Sequence, residues 1–201
     1  MVELGVGNGR VAVPVAREIG RPVIGVDSSG AMLAAARERA AAAGVELDLR
    51  ESDMGEFELE EPAALVYCPF RSLLHLHGWV DKRRVFERVA ASLRLGGRFA
   101  WNAFVFDAEV AARNDGLAAR HGSLWEYVEH APGDNRIDVT AFVGEPGVDA
   151  RTISIWWATR SEWEGLIEAA GLEVEALYGW FDRRPFDDHS PEFVWVARRP
   201  R

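Results

Sequence analysis

The start of this chain constrains its fold more than any other feature. Met1-Val2-Glu3-Leu4 runs directly into Gly5-Val6-Gly7-Asn8-Gly9, and an apolar pattern of helical period follows at once. A short apolar strand that ends in a glycine turn and opens a helix leaves backbone N–H groups bare at the helix N-terminus, where a ligand can come close. The spacing is G-x-G-x-G, followed by Arg10. It departs from the G-x-G-x-x-G dinucleotide signature, and no Gly-Lys-Ser/Thr follows to make a Walker loop. An ordinary strand–helix junction can also carry such a turn, so the rest of the chain has to support a ligand-binding reading.

Strand and helix signals alternate through the first half. Val2–Val6 reads as a strand and Arg10–Ile19 as a helix ended by Gly20. Val23–Asp27 is a second strand, Gly30–Ala43 an alanine-rich helix stopped by Gly44, and Val45–Arg50 a third strand. Ala63–Cys68 reads as a buried fourth strand. Asp81–Leu95 carries Phe86, Val89, Ala90 and Leu93 at helical spacing, Gly96-Gly97 ends it, and Arg98–Phe104 is a fifth strand. Alternating units of this kind predict a parallel sheet covered by helices on both faces.

The period then changes. Leu124–Ala131, Arg136–Val143 and Thr152–Ala158 read as three successive strands, joined by a turn at 132–135 and by Gly144–Ala150. They predict an inserted antiparallel layer. Val128, Val139, Ile153, Ile155 and Trp157 could form its apolar face, which must bury itself on something. The nearest surface is the carboxyl-end mouth of the sheet, so the layer is expected to roof that mouth or to pair two subunits. Helical period returns at Ser161–Ala170, where Ser161 with Glu164 has the form of a capping box. Leu172–Phe181 and Phe193–Arg198 read as a closing hairpin.

Composition narrows the function. At 201 residues and a formal charge of −9, the chain has room for one sizeable core and is acidic. Sequence-independent nucleic-acid binding relies on Lys and Arg against phosphate, so an acidic balance argues against it. The single cysteine, Cys68, excludes an internal disulfide and a cysteine-cluster zinc site. Neither an apolar run of membrane-spanning length nor a secretory leader is visible, which leads to the expectation of a cytoplasmic protein with no membrane partner.

Ligands of open parallel sheets bind beyond the carboxyl ends of the strands. Each such end carries a distinctive residue here. Gly5, Gly7 and Gly9 follow the first strand. Asp27 ends the second, 22 positions after Gly5, and could accept from both ribose hydroxyls. Ser52-Asp53-Met54 follows the third, where an acid can accept from an exocyclic amine such as that of adenine. Tyr67-Cys68-Pro69-Phe70-Arg71-Ser72-Leu73-Leu74-His75-Leu76 follows the fourth. Cys68 is expected to pack in its strand or to abut a cofactor, and nothing around it suggests a thiolate nucleophile.

V-E-L-G-V-G-N-G-R, G-V-D-S-S-G-A-M-L, E-S-D-M, P-F-R-S-L-L-H-L and L-R-L-G-G-R-F occur in that order. Together they resemble the class I, Rossmann-like S-adenosylmethionine (SAM) methyltransferases, and the last parts resemble their small-molecule branch, which includes amino-sugar N-methyltransferases. The resemblance implies a doubly wound, mostly parallel seven-stranded sheet with a reversed last strand. With the inserted three-stranded layer this makes one α/β domain over 1–201: a SAM-binding core at 1–105, the layer at 124–158, and a closing helix and hairpin at 160–199. It implies that Glu3, Gly5 and Gly7 line the methionine side of SAM, Asp27 holds the ribose with Met32 nearby, and Asp53 and Met54 hold adenine. Ser28, Cys68 and Phe70 complete the candidate cofactor set.

The implied reaction is in-line N- or O-methylation of a small molecule, with S-adenosylhomocysteine as product and no metal. Such chemistry needs position and desolvation more than a fixed dyad, and His75 and Tyr127 are the candidate general bases. The family usually carries a helical segment before the first strand that covers SAM. This chain begins at that strand, so the expectation is a truncated start, or a cover supplied by another segment or a partner, with a homodimer through 124–158 as one form. A non-catalytic SAM-binding dimer is the alternative. A nicotinamide-dependent oxidoreductase is a more distant one, because it would need a third glycine at Rossmann spacing and a Tyr-x-x-x-Lys pair.

Overall fold

Seven strands form the main sheet of the computed structural model, which describes residues 1–143 and 149–201. In chain order the elements of the core are β1 (Val2–Leu4), α1 (Ala12–Ile19), β2 (Val23–Asp27), α2 (Gly30–Ala43), β3 (Leu47–Glu51), β4 (Ala63–Cys68), α3 (Gly78–Ser92) and β5 (Leu93–Phe104). After the inserted layer come α5 (Arg160–Ala169), β10 (Glu173–Tyr178) and β11 (Glu192–Arg198). The strand order is β10-β11-β5-β4-β1-β2-β3. β1 pairs in parallel with both β2 and β4, so the order reverses between β1 and β4. The glycine turn after β1 therefore opens at the crevice where such sheets bind ligands. β11 is antiparallel to both β5 and β10, giving the one reversed strand that the resemblance implied.

Both faces of the sheet are packed. On one, α3 and α5 bury Phe86, Val89, Trp163 and Leu166 against Phe99, Trp101 and Trp195 of the sheet. Trp101 stacks on Phe99 and Trp195 with ring centroids 4.7 and 5.9 Å apart. On the other, Ala12 and Ala16 of α1 and Leu33 of α2 close over Val6 and Val23. α5 begins at a reciprocal cap: Thr159 accepts from the Glu162 N–H while Glu162 accepts from the Thr159 N–H. The capping box thus lies two residues before the expected Ser161 and Glu164. Both pairs fit the sequence pattern, and the start of the helix selects the earlier one.

Boundaries near Gly96-Gly97 also differ from expectation. α3 ends at Ser92, and β5 starts at once with Leu93. Gly96 has φ +72, and a Cβ on Gly97 would lie 2.8 Å from the Arg94 carbonyl oxygen and 3.0 Å from that of Ala63. These glycines permit an irregular strand start with close backbone approach; they do not stop the helix.

The inserted layer has four strands where three are expected. β6 (Ala118–His121), β7 (Leu124–Ala131), β8 (Arg136–Val143) and β9 (Arg151–Trp156) pair antiparallel in that order. β6 is exposed along its length and lacks apolar alternation, which is why no sequence signal marks it. A short helix, α4 (Ala108–Asn114), precedes it, with Asp107 accepting from the Glu109 and Val110 N–H groups. The expected join at Gly144–Ala150 lies largely outside the described residues. By strand alternation Val128, Val139, Ile153 and Ile155 share one face, as expected, and Ile137 and His130 join them.

The layer lies at the carboxyl-end side of the sheet. Trp157, just after β9, stacks on Phe106, just after β5, with centroids 4.1 Å apart. Trp156 meets His77, before α3, edge-on at 4.9 Å.

Candidate active site

A cavity of about 330 Å³ opens at the glycine turn, between the ends of β1 and β4. Glu3, Gly5, Gly7 and Arg10 line it from the β1 side, with Met32 from α2. Phe70, Ser72 and His75 line it from the β4 side. The two sides meet at Gly5, where φ is +65 and a Cβ would fall 2.9 Å from Ser72 Cβ and Oγ. Gly7, at φ +53, has open space where its Cβ would be. Both positions take left-handed backbone that glycine adopts without penalty.

Asp27 shapes the turn from the next strand. Its Oδ2 accepts from the Gly7 N–H at 2.8 Å, and its Oδ1 accepts from the Ser29 N–H at 2.9 Å. One carboxylate thus ties the glycine turn to the start of α2, and its remaining lone pairs are free for a hydroxyl. Ser28 is exposed beside it, and the Ser29 hydroxyl accepts from the Met32 N–H at 3.3 Å.

Glu3 lies at the cavity floor, 1% exposed. Tyr67 donates its hydroxyl to Glu3 Oε2 at 2.6 Å. Burial raises the Glu3 carboxyl to about 7, and the Tyr67 hydrogen bond only partly opposes this. Burial and the neighbouring Glu3 charge also push the Tyr67 phenol up.

The loop after β4 is strained. Phe70 and Arg71 have φ of +58 and +62, which costs energy for residues with a Cβ and persists only where surroundings enforce it. The enforcing contact is an ion pair from Arg71 to the buried Glu192 of β11, with nitrogen–oxygen distances of 3.1 and 2.5 Å. Asn102 of β5 donates to the same carboxylate at 2.6 Å. Phe70 is thereby held out over the cavity, and the Arg10 guanidinium lies 3.2 Å from its ring centroid.

Several expected site residues lie elsewhere. Cys68 is fully buried within the core cluster and does not reach the cavity, and burial raises its thiol to about 12. Its alternative reading, packing in the strand, describes its position. Tyr127 lies on the face of the layer opposite Val128 and His130, so it does not share a cavity with His75. Asp53 and Met54 do not line the 330 Å³ cavity. Asp53 Oδ1 accepts from its own turn at Gly55 N–H, 2.7 Å, and from Arg84 at 3.2 Å. Met54 packs against the core with its methyl 3.9 Å from where a Gly5 Cβ would be.

A second cavity, about 380 Å³, lies between the end of β5, α4 and the layer. Phe104, Phe106, Val110, Val128, His130 and Ile137 are among its walls. The Arg71 guanidinium faces Phe104 with its carbon 5.4 Å from the ring centroid. The two cavities therefore flank one corner, Phe70-Arg71. The sequence reading missed Arg10, Ser72, the Glu192–Asn102 support and His130. Arg10 and Ser72 stand inside motifs it used, whereas Glu192 and His130 carry no local signal.

A doubly wound sheet with a reversed last strand, and a glycine turn backed by an acid at the next strand end, make up the class I methyltransferase fold. Residues 1–97 match the family model for a methyltransferase domain. The fold superposes with TM-score 0.84 on the CcbJ methyltransferase of Streptomyces caelestis, at 27% identity, covering 100% of this chain and 83% of that one. It superposes with TM-score 0.69 on CalS10, an amino pentose methyltransferase from Micromonospora echinaspora, at 23% identity over 98% and 82% of the two chains. For the sugar N-methyltransferase KedS8 of a Streptoalloteichus species the values are 0.73, 17%, 100% and 79%. A search of the curated proteins found no match. The fold is thus that of the class I, Rossmann-like S-adenosylmethionine-dependent methyltransferases, and the methyltransferase-domain model matches it over residues 1–97.

Proposed function

We propose that this chain transfers a methyl group from SAM to nitrogen or oxygen of a small molecule. In this reading residues 1–201 act as one methyltransferase domain, with 1–105 as the cofactor-binding core, 124–158 as the inserted layer and 160–199 as the closing helix and hairpin. The observation that carries it is the open space at Gly7, facing the 330 Å³ cavity with Glu3 at its floor. When bound there, the cofactor supplies an electrophilic methyl on a sulfonium. The bare backbone at Gly5 and Gly7 lets it approach, Asp27 orients the ribose, and buried Glu3 complements the cationic methionine end. Met32 and Phe70 exclude water from the two sides. Asp53 and Met54, just beyond the cavity, serve the adenine, and His75 sits at the rim on the acceptor side.

The acceptor occupies the apolar cavity across the Phe70-Arg71 corner. Its walls favour a partly apolar small molecule over a polymer, and the names of CalS10 and KedS8 support a sugar-like amine. A homodimer through 124–158 fits the exposed Val143 and Ile153 on the apolar face of the layer, and sedimentation tests it. Among the described residues no helix is long and apolar enough to cross a membrane, and a cytoplasmic location is part of the same reading. Calorimetry tests the core of the reading. SAM and S-adenosylhomocysteine should bind, and tighter binding of NAD would overturn the assignment of the cavity.

A further inference from the structure

The apolar cavity beside β5 contains one titratable ring, His130 of β7. Asp115, at the end of α4, holds that ring in place. Asp115 Oδ1 accepts from the His130 backbone N–H at 2.8 Å and lies 3.3 Å from the ring Nδ1. These contacts, the backbone one first, hold the Asp115 carboxyl below its ordinary range, so it is ionised near neutrality. An ionised carboxylate only accepts hydrogen bonds, so it fixes the ring proton on Nδ1. The nitrogen left with a lone pair is Nε2, on a ring that lines the cavity and remains 11% exposed. Phe106 flanks the ring at 6.4 Å and is itself covered by Trp157.

The other charged groups around the cavity do not compete for this role. Among its described lining residues Asp107 is the only further titratable group, and its Oδ1 is committed to the N-terminus of α4. Ile137 faces His130 across the ladder, and Glu129 and Asp138 point to the opposite face. Arg71 lies behind Phe104, engaged by Glu192. A ring nitrogen with a fixed tautomer, in an apolar cavity next to the donor site, has the form of a general base.

We propose that His130, oriented by Asp115, is the general base for an amine acceptor bound in this cavity. The proposal rests on the reading that the cavity takes the acceptor. The amine enters as its ammonium form, which the acidic chain attracts, and gives a proton to His130 Nε2. The freed nitrogen lone pair then forms the new N–C bond as the methyl–sulfur bond breaks, with that bond's electron pair staying on sulfur. Asp115 is a positioning residue: it stabilises the imidazolium that forms and returns the ring to the Nδ1–H tautomer when the proton leaves to water.

The test uses the full chain in two measurements. Long-range proton–nitrogen spectra of the five histidines should show an Nδ1–H ring that disappears in His130→Gln and changes tautomer in Asp115→Asn. Methyl transfer from SAM to a panel of amino sugars and small alkylamines is then followed as S-adenosylhomocysteine release. In His130→Gln, kcat should fall about 100-fold with KM within about threefold, in line with the usual contribution of a general base. The shape of its rate–pH profile should also differ from that of the wild type, which a merely structural role would not produce. Asp115→Asn, a change at an exposed side chain, should lie between the two and serves if the first variant fails to fold. A wild-type His130 ring carrying its proton on Nε2, or turnover in His130→Gln close to wild type, overturns the proposal. A panel with no methylated amine, alongside normal SAM binding, instead overturns the amine reading on which it rests.

Discussion

The two cavities that flank Phe70-Arg71 are built in opposite ways. The one at β1 opens on the left-handed backbone of Gly5 and Gly7, with Arg10, Met32 and Phe70 around it and a buried acid at its floor. The one at β5 is walled by ordinary side chains of five elements, with one histidine among them. Where left-handed glycine backbone forms the wall, a side-chain substitution elsewhere leaves that part of the shape unchanged. A side-chain-walled site can be re-cut by substituting any wall residue. In the proposed reading the first takes the donor and the second the acceptor, with the strained corner that Glu192 and Asn102 hold in place lying between them.

Variants can break this comparison. The largest effect is expected for Gly7→Val, which forces a branched residue into left-handed backbone, at about 1–2 kcal/mol, and fills the opening. SAM affinity measured by calorimetry should fall more than about 100-fold, or roughly 2.7 kcal/mol. Unchanged affinity in a folded variant would mean that backbone does not wall the donor site.

The next effect is in pH. The Glu3 carboxyl is raised from 4.5 to about 7, so it takes up protons more readily in the folded than in the unfolded state. Its contribution is fully present below pH 4.5 and is lost as pH rises to about 7. At 1.36 kcal/mol per unit the change is about 3 kcal/mol across that window. Glu3→Gln should flatten the stability–pH curve of the cofactor-free protein, measured by urea unfolding. It should also flatten the rise of SAM affinity over the same range, because a cationic ligand favours the ionised acid. A curve identical to wild type would show that Glu3 is not the group that titrates.

Asp27→Ala should weaken SAM by about 1.5–3 kcal/mol, the cost of losing hydrogen bonds to a charged group. Asp27→Asn should recover part of this only if the ribose contact matters more than the Gly7 and Ser29 N–H bonds. Val110→Trp sharpens the comparison from the other side. It fills the apolar cavity, so turnover should stop while SAM affinity stays within about twofold, less than 0.5 kcal/mol. A matching loss of SAM affinity would show that the two cavities act as one.

The main sheet was legible because its signals are local. Glycine turns, apolar runs and strand-end acids each occupy a few adjacent residues, and the backbone cannot take those turns without glycine. Expectations slipped where two local readings were both allowed: Gly96-Gly97 permit a helix stop or an irregular strand, and Thr159 or Ser161 can cap α5. β6 escaped because Ala118–His121 is exposed and has no alternation to read.

By itself the sequence determined the class of sheet, the glycine turn at Gly5 and Gly7, the acid at the end of β2 and the change to antiparallel strands after β5. These follow from covalent geometry and from the two-residue and 3.6-residue periods, which act over short stretches. Tertiary structure alone decided that Cys68 is sealed in the core, that Tyr127 faces away from the cavities, that Glu192 holds Arg71 from 121 positions away, and that His130 meets Asp115. Pairings across such distances depend on how strands register and layers dock, and no local rule records them.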